Sequence, residues 1–324
     1  MKLNKFYKSL VVLISSTSLL ACNSGASVGD NFGIPNMDSK VQNGSLVKDP
    51  FLNTTVPLIV IITPEGSGFC SGTLIDANTV LTAAHCALDM KTKALNKSYT
   101  EKNVIKPNNL KIILSKNPSQ PIDLYGFEKQ KLNLKDVVDI YSIKDVYVHQ
   151  YAFRGATVTK DGFNLKDGGD LNDLAILKLE KEAPNNYGFP KLATINPNPN
   201  TKELIVGYGV NVGDGVRIMD RSKGDSGTLR KADSIFIDSF FDGKLLDVGG
   251  FVKRGKKLVY SKICSGDSGG PDFQKIKDDY VITGVHSFGD GDDCGAKDTP
   301  STSISVAAYS EWINGGYKTQ SIGN

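Results

Sequence analysis

Gly-Asp-Ser-Gly occurs twice in this chain, once in KGDSGTL from Lys223 to Leu229 and once in SGDSGGP from Ser265 to Pro271. A tight turn of this kind lifts a serine hydroxyl out of a strand end. A hydroxyl is a poor nucleophile near neutral pH, so it needs a base that titrates near that pH and a third group to fix the base's tautomer. Histidine suits the role, and the chain has three: His85 in LTAAHC, His149 in VYVHQY and His286 in GVHSFG. Taken alone, each reads as a structural residue. His85 stands apart because it directly follows an apolar strand and directly precedes Cys86, which can lock it to Cys70 in FCSG. Closing a loop of that size contributes about 3 kcal/mol on the chain-entropy model.

The elements that must hold these residues are mostly short strands. Residues 57–63, 72–84, 110–114, 174–180, 203–210 and 280–289 are rich in β-branched side chains and bounded by Gly, Pro, Asn or Asp. Strands without regular intervening helices predict an all-β sandwich or barrel rather than βαβ units. One helix is expected at the end, Val306 to Gly315, where Val306, Tyr309 and Trp312 or Ile313 fall at helical spacing before a Gly-Gly stop. A chain of 324 residues, 40% hydrophobic and 23% charged, is long enough to bury a substantial core in one or two domains, and 33 Gly with 13 Pro imply many turns.

The first 22 residues carry Lys2, Lys5 and Lys8 and then the apolar run LVVLISSTSLLAC, which is short for a membrane span and fits a secretory signal peptide. Within it, LLAC from Leu19 to Cys22 resembles the lipobox of bacterial lipoproteins, which implies that Cys22 is lipidated and becomes the mature N-terminus. The alternative is an ordinary signal peptide with an incidental cysteine. Five cysteines leave an odd one in an oxidising compartment, and Cys22 is the isolated member, so Cys70, Cys86, Cys264 and Cys294 can pair among themselves. Export to the bacterial cell envelope on a lipid anchor, or secretion, is the expected localisation, and the anchor is the only expected membrane contact. Loss of residues 1–22, with three lysines and no acid, takes the formal charge from +3 to zero. Such a chain has no basic surface to displace counterions from nucleic acid. Residues 23–40 are rich in Gly, Ser, Asn and Asp and read as a flexible leader or propeptide.

LTAAHC, NDLAILKL and CSGDSGGP appear in that order. Together they resemble the three active-site motifs of the trypsin/chymotrypsin family of serine endopeptidases, from about Val41 to Trp312. The resemblance implies two packed six-stranded antiparallel β-barrels with a C-terminal helix, a protease domain over 41–317 and a tail at 318–324. It implies His85 as general base, Asp173 as its orienting group and Ser268 as nucleophile, in the His, Asp, Ser order of that fold. Gly266 and Ser268 would offer backbone N–H groups to the oxyanion, and Ser287 would touch Asp173. Phe288 and Gly289 stand where Trp-Gly is usual on the substrate-pairing strand, and GYG at 207–209 stands where GWG is common. Cys264 with Cys294 would brace the specificity pocket. No cofactor or metal is expected, and the partners are protein or peptide substrates. Ser226, lacking the preceding cysteine and the following Gly-Pro, reads as a turn serine that caps its own backbone. His149 matches a histidine common and non-catalytic in relatives.

Three further expectations follow from the resemblance. SKVQNG resembles an activation site, which implies cleavage after Lys40, by a second, basic-specific protease if this chain itself selects acidic residues, and pairing of the new Val41 ammonium with Asp267; the alternative is a chance Lys-Val in the leader. Lys262, six before the nucleophile, lies at the base of the primary pocket and disfavours Lys or Arg substrates. With Ser265 and His286, the latter where glutamyl endopeptidases of this fold place a carboxylate-binding histidine, it favours cleavage after Glu or Asp. Against this, Asp290, Asp292 or Asp293 can neutralise Lys262, Thr302 and Ser303 replace the frequent Val-Tyr, and His286 can equally be a packed neutral histidine. His85 and Asp173 are 88 residues apart, and the extra length after His85 and before Asp173 is either surface insertion or an exosite. A catalytically idle binding or adhesion module on the same scaffold is the other functional class.

Overall fold

The structure is a computed structural model. It describes residues 11–12, 41, 44–64, 66–89, 100–117, 122, 134–154, 156–159, 162–165, 171–209, 227–254, 256–289 and 299–322. Cys22, Lys40, Ser226, Asp290, Asp292, Asp293 and Cys294, the 23–40 leader and most of the two long insertions lie outside these residues.

Seven strands form the first sheet: β1 Leu58–Thr63, β2 Gly66–Ser71, β3 Thr73–Asp76, β4 Thr79–Thr82, β5 Leu110–Ser115, β6 Val138–Val148 and β7 Ala175–Leu179. Their order across the sheet is β2-β1-β5-β6-β7-β4-β3, antiparallel throughout. The edge strands β2 and β3 are consecutive in the chain with Gly72 between them, so the backbone turns the corner that hydrogen bonds do not. A Cβ on Gly72 would lie 2.7 Å from Val80 Cγ1, which is why the corner is glycine. The run 72–84 expected as one strand is a hairpin, because Ala77 and Asn78 turn the chain between β3 and β4.

The second sheet comprises β8 Lys202–Gly207, β9 Arg230–Phe240, β10 Leu245–Val248, β13 Pro271–Ile276, β14 Asp279–Phe288 and β15 Ser301–Ser305, with a separate hairpin of β11 Gly250–Arg254 and β12 Lys257–Ser261. The order β14-β13-β8-β9-β10-β15 returns to β14 through the β14–β15 pairing, so six strands close a barrel. A three-stranded sheet of Val11–Val12, Ala156–Thr159 and Gly162–Leu165 stands apart from both.

One apolar core joins the two sheets. Leu58, Val60, Leu81 and Ile176 of the first pack in the same cluster as Val206, Phe273, Ile282 and Ile304 of the second. Helix α1, Pro50–Thr55, starts at Asp49, whose carboxylate accepts from the Phe51 N–H, and clips onto the second barrel through Phe51 stacked 4.9 Å from Tyr280. The terminal helix is shorter than expected. Only α2, Ser310–Ile313, is helical, residues 306–309 form turns, and Ser305 Oγ accepts from the Ala308 N–H. The expected face is nevertheless the buried one, since Val306, Tyr309, Trp312 and Ile313 all lie in the core. Among the described residues no helix is long and apolar enough to cross a membrane.

Candidate active site

The chain leaves β4 at Thr82 and makes a short 3₁₀ turn, Ala84–Cys86, which projects His85 between the two sheets. Cys86 is bonded to Cys70 of β2, so the turn is tied to the opposite edge of its own barrel. Asp173 precedes β7, fully buried. Its carboxylate accepts from the His85 backbone N–H at 2.9 Å through Oδ1 and faces His85 Nδ1 at 2.7 Å through Oδ2, and the Ser287 hydroxyl donates to the same Oδ2. The Nδ1 proton is thereby assigned to the Asp173 side, leaving Nε2 as the reactive nitrogen. Burial lowers the His85 pKa, but the charge and hydrogen bond of Asp173 outweigh it, and the net shift is upward from 6.5.

Asp173 is positioned from the far end of the chain. Asn172 donates to the Tyr151 carbonyl at 3.1 Å and accepts from the Tyr309 hydroxyl. His149 lies in this support, its ring 5.5 Å from Tyr309 and 5.2 Å from Trp312.

Ser268 sits on the turn between β12 and β13. Gly266 has φ of 93° and Gly269 has φ of 77°, a region that disfavours other residues. A Cβ on Gly269 would meet Thr82 Oγ1 at 1.9 Å, so the turn bearing Ser268 touches the strand that delivers His85. The Ser268 carbonyl accepts from the Ser71 N–H at 2.8 Å and lies 3.7 Å from Cys86 Sγ, while the Ser71 hydroxyl donates to the Gly266 carbonyl. Both sheets therefore grip the turn.

Asp267 is fully buried. Its carboxylate accepts backbone N–H groups from Gly209 at 2.6 Å and Cys264 at 2.8 Å. A Cβ on Gly209 would lie 2.2 Å from its carboxyl carbon, so GYG is the cradle of this carboxylate. Burial pushes Asp267 up to about 7, against the pull of the His286 charge and those two N–H bonds. Val41 is fully buried against Ile205, Ala232 and Ile263, on the same elements that hold Asp267.

Of the pocket residues, Ser265 and Gly289 are half-buried, and Ser287 and Phe288 are buried. Lys262 is 1% exposed and donates to Thr299 Oγ1 at 3.2 Å. His286 is fully buried, with Nδ1 at 3.1 Å from the Asp267 carbonyl and Nε2 at 3.0 Å from Asp272 Oδ1, so both ring nitrogens are engaged within the chain. Cys264 is disulfide-bonded. The sequence reading missed Asp272, Glu203 and Thr283. Glu203 accepts from Gln274 at 2.9 Å and from Thr283 at 3.0 Å, and its carboxyl is pushed up to about 8 by burial and by the Asp272 charge, against those two bonds. Only the polar letters inside otherwise apolar strands could have flagged them. Among the described residues, one His/Cys/carboxylate group has metal-ligating proximity, Cys70, His85 and Cys86, but both of its sulfurs are in the disulfide.

An antiparallel double-barrel scaffold with an aspartate-oriented histidine beside a glycine-flanked serine is the architecture of a serine hydrolase. The Trypsin family model matches residues 49–123 and 129–313, and the chain belongs to that family. It is 25% identical over 293 residues to mannan-binding lectin serine protease 1 of Mus musculus, covering 87% of this chain and 36% of that protein. It is 26% identical over 261 residues to tissue-type plasminogen activator of Mus musculus, covering 77% of this chain and 39% of that protein. It is also 26% identical over 286 residues to chymotrypsin-like elastase family member 1 of Canis lupus familiaris, covering 87% and 93% respectively. The chain thus spans well under half the length of the first two relatives and nearly all of the third.

Proposed function

We propose that the chain is an exported serine endopeptidase that cuts protein or peptide substrates through an acyl-enzyme. His85 Nε2 takes the Ser268 hydroxyl proton as that oxygen bonds to the substrate carbonyl carbon. The C–N bond then breaks and the proton passes to the leaving amine. Water, deprotonated by His85, finally cleaves the ester and releases the second product as the proton returns to Ser268. The Gly266 and Ser268 N–H groups receive the oxyanion, about 3–4 kcal/mol for one such donor. The observation that carries this reading is the three-fold hydrogen bonding of Asp173 to the His85 backbone, the His85 ring and Ser287, next to the turn that bears Ser268. Labelling by a fluorophosphonate tests it. Ser268→Ala and His85→Ala should each abolish labelling and lower turnover by about 10⁶. Loss of activity in Ser226→Ala with retention in Ser268→Ala would overturn the assignment.

The same reading includes processing. Cys22 carries the lipid anchor, and cleavage after Lys40 frees the Val41 amine, which enters beside Asp267 and compensates a buried carboxylate. The burial of Val41 against Ile205 and Ile263 supports that docking. A mature N-terminus far from Val41 in the active enzyme would refute it. In the pocket Lys262 disfavours Lys and Arg and favours an acidic side chain, and with His286 engaged internally Lys262 carries that preference. Dominant cleavage after Lys or Arg in a peptide library would sink this part.

A further inference from the structure

We propose that His286 is a positioning residue for the nucleophile: as a buried imidazolium it holds the turn bearing Ser268 from both sides, through the Asp267 carbonyl before it and the Asp272 carboxylate after it. This rests on Ser268 being the nucleophile.

Four hydrogen bonds run from this one residue to the turn. The Gly269 N–H donates to the His286 carbonyl at 2.7 Å and the His286 N–H donates to the Gly270 carbonyl at 2.8 Å. Outside that backbone pair, the ring reaches Asp267 O at 3.1 Å and Asp272 Oδ1 at 3.0 Å. Residues 267, 269, 270 and 272 are thus all fixed to one side chain and its backbone, on both sides of Ser268 in the chain. The register slips at Asp272/Phe273 on β13 and at His286/Phe288 on β14, and bulges of this kind re-aim side chains beside active sites.

The charge state follows from the partners. A neutral imidazole has one N–H and one lone pair, whereas here both nitrogens face oxygen acceptors, so only the protonated ring satisfies both. From the turn it faces Asp267, from β13 Asp272, and behind Asp272 on β8 Glu203; β15 presents Ser303 opposite, which is not titratable in this range. Burial lowers the His286 pKa, but the charges and hydrogen bonds of Asp272 and Asp267 outweigh it and the net shift is upward from 6.5. A merely packed histidine would need neither carboxylate, and its acceptors would not bracket the nucleophile.

The test compares purified wild type with His286→Gln and Asp272→Asn, using fluorophosphonate acylation rate, kcat and KM over pH, with thermal unfolding as a folding control. Misplacement of a reacting group by about 1 Å costs on the order of 10²-fold, so His286→Gln should lose about that factor in acylation and kcat with KM changed little. Asp272→Asn keeps the ring and removes the charge that stabilises its proton, so activity should fall at lower pH than in wild type as the ring deprotonates. In ¹⁵N-histidine spectra of wild type, His286 should show both nitrogens protonated at pH 7. A folded His286→Gln with wild-type acylation overturns the proposal. So does a neutral His286 at pH 7 or, should His286→Gln fail to fold, an unmoved alkaline limb in Asp272→Asn. Ser268→Ala, run alongside, separates the two readings: labelling that survives it refutes Ser268 as nucleophile, whatever His286 does.

Discussion

The two sheets use burial differently. The first holds His85 and Asp173 over an interior of Ile59, Leu74, Val80, Leu110, Ile112 and Leu177, and among the described residues Asp173 is its one fully buried carboxylate. The second, which carries the Ser268 turn, buries Glu203, Lys262, Asp267, Asp272 and His286 within or beside its barrel. Buried charges are costly unless paired and hydrogen-bonded, so an all-apolar core is the simpler route to stability. The first sheet comes closer to that route, with Asp173 as its buried charge, and is pinned by the Cys70–Cys86 disulfide. The second gathers its buried charges around the Ser268 turn, and its stability should therefore depend on pH more than that of the first.

The largest test of this contrast is Asp173→Asn, which keeps the shape of the first sheet's site but turns the bond partner of His85 from acceptor to donor on one side. In a related triad such a change lowers kcat about 10⁴-fold. Wild-type kcat/KM should fall on the acid side as His85 is protonated, with its midpoint above 6.5, because the net shift of that group is upward. Asp173→Asn should move that limb to lower pH. An unchanged limb would place the titration on another group.

Next comes the Cys70–Cys86 bond, 16 residues apart in sequence. Replacing both cysteines by alanine should cost about 3 kcal/mol on the chain-entropy model, or roughly 6–12 °C in Tm for a domain of this size. Calorimetry of the double variant measures it. If the loss fell equally at all pH values while the Glu203 variant below changed only at high pH, the two regions would be separated as described.

The smallest expected effect is Glu203→Gln. Folded Glu203 titrates at about 8, far above its ordinary 4.5, so between these values the folded chain binds more protons than the unfolded one. Stability then falls as pH rises through that window. Glutamine mimics the protonated acid toward Gln274 and Thr283, so wild type and variant should melt together at pH 5. At pH 9 the variant should melt higher than wild type. Parallel Tm curves from pH 5 to 9 would show that Glu203 is not the titrating group.

Much of the site was expected from the order of LTAAHC, NDLAILKL and CSGDSGGP, whose family resemblance implied His85, Asp173, Ser268 and Ser287; the structure brings His85, Asp173 and Ser287 into hydrogen-bonding contact. β1, β5, β7, β8 and β14 were legible from their β-branched runs. β6 and β9 were not recognised as full strands, because each faces solvent on one side and interleaves Lys and Asp with its apolar residues. Pro271 masked the start of β13. The C-terminal segment showed its buried face correctly but not its length, since periodicity records which residues are covered and not where the hydrogen-bond ladder stops. The setting of His286 was beyond the sequence: one acceptor is a backbone carbonyl, and the other, Asp272, looks like any strand-start aspartate.

Tyr309 follows Asn172 by 137 residues, yet its hydroxyl helps fix the peptide that carries Asp173. During synthesis His85, Asp173 and Ser268 all emerge before that clamp does. A nascent or truncated chain lacking the last segment therefore has all three residues but not the Tyr309 bond to Asn172 that helps hold the peptide carrying Asp173.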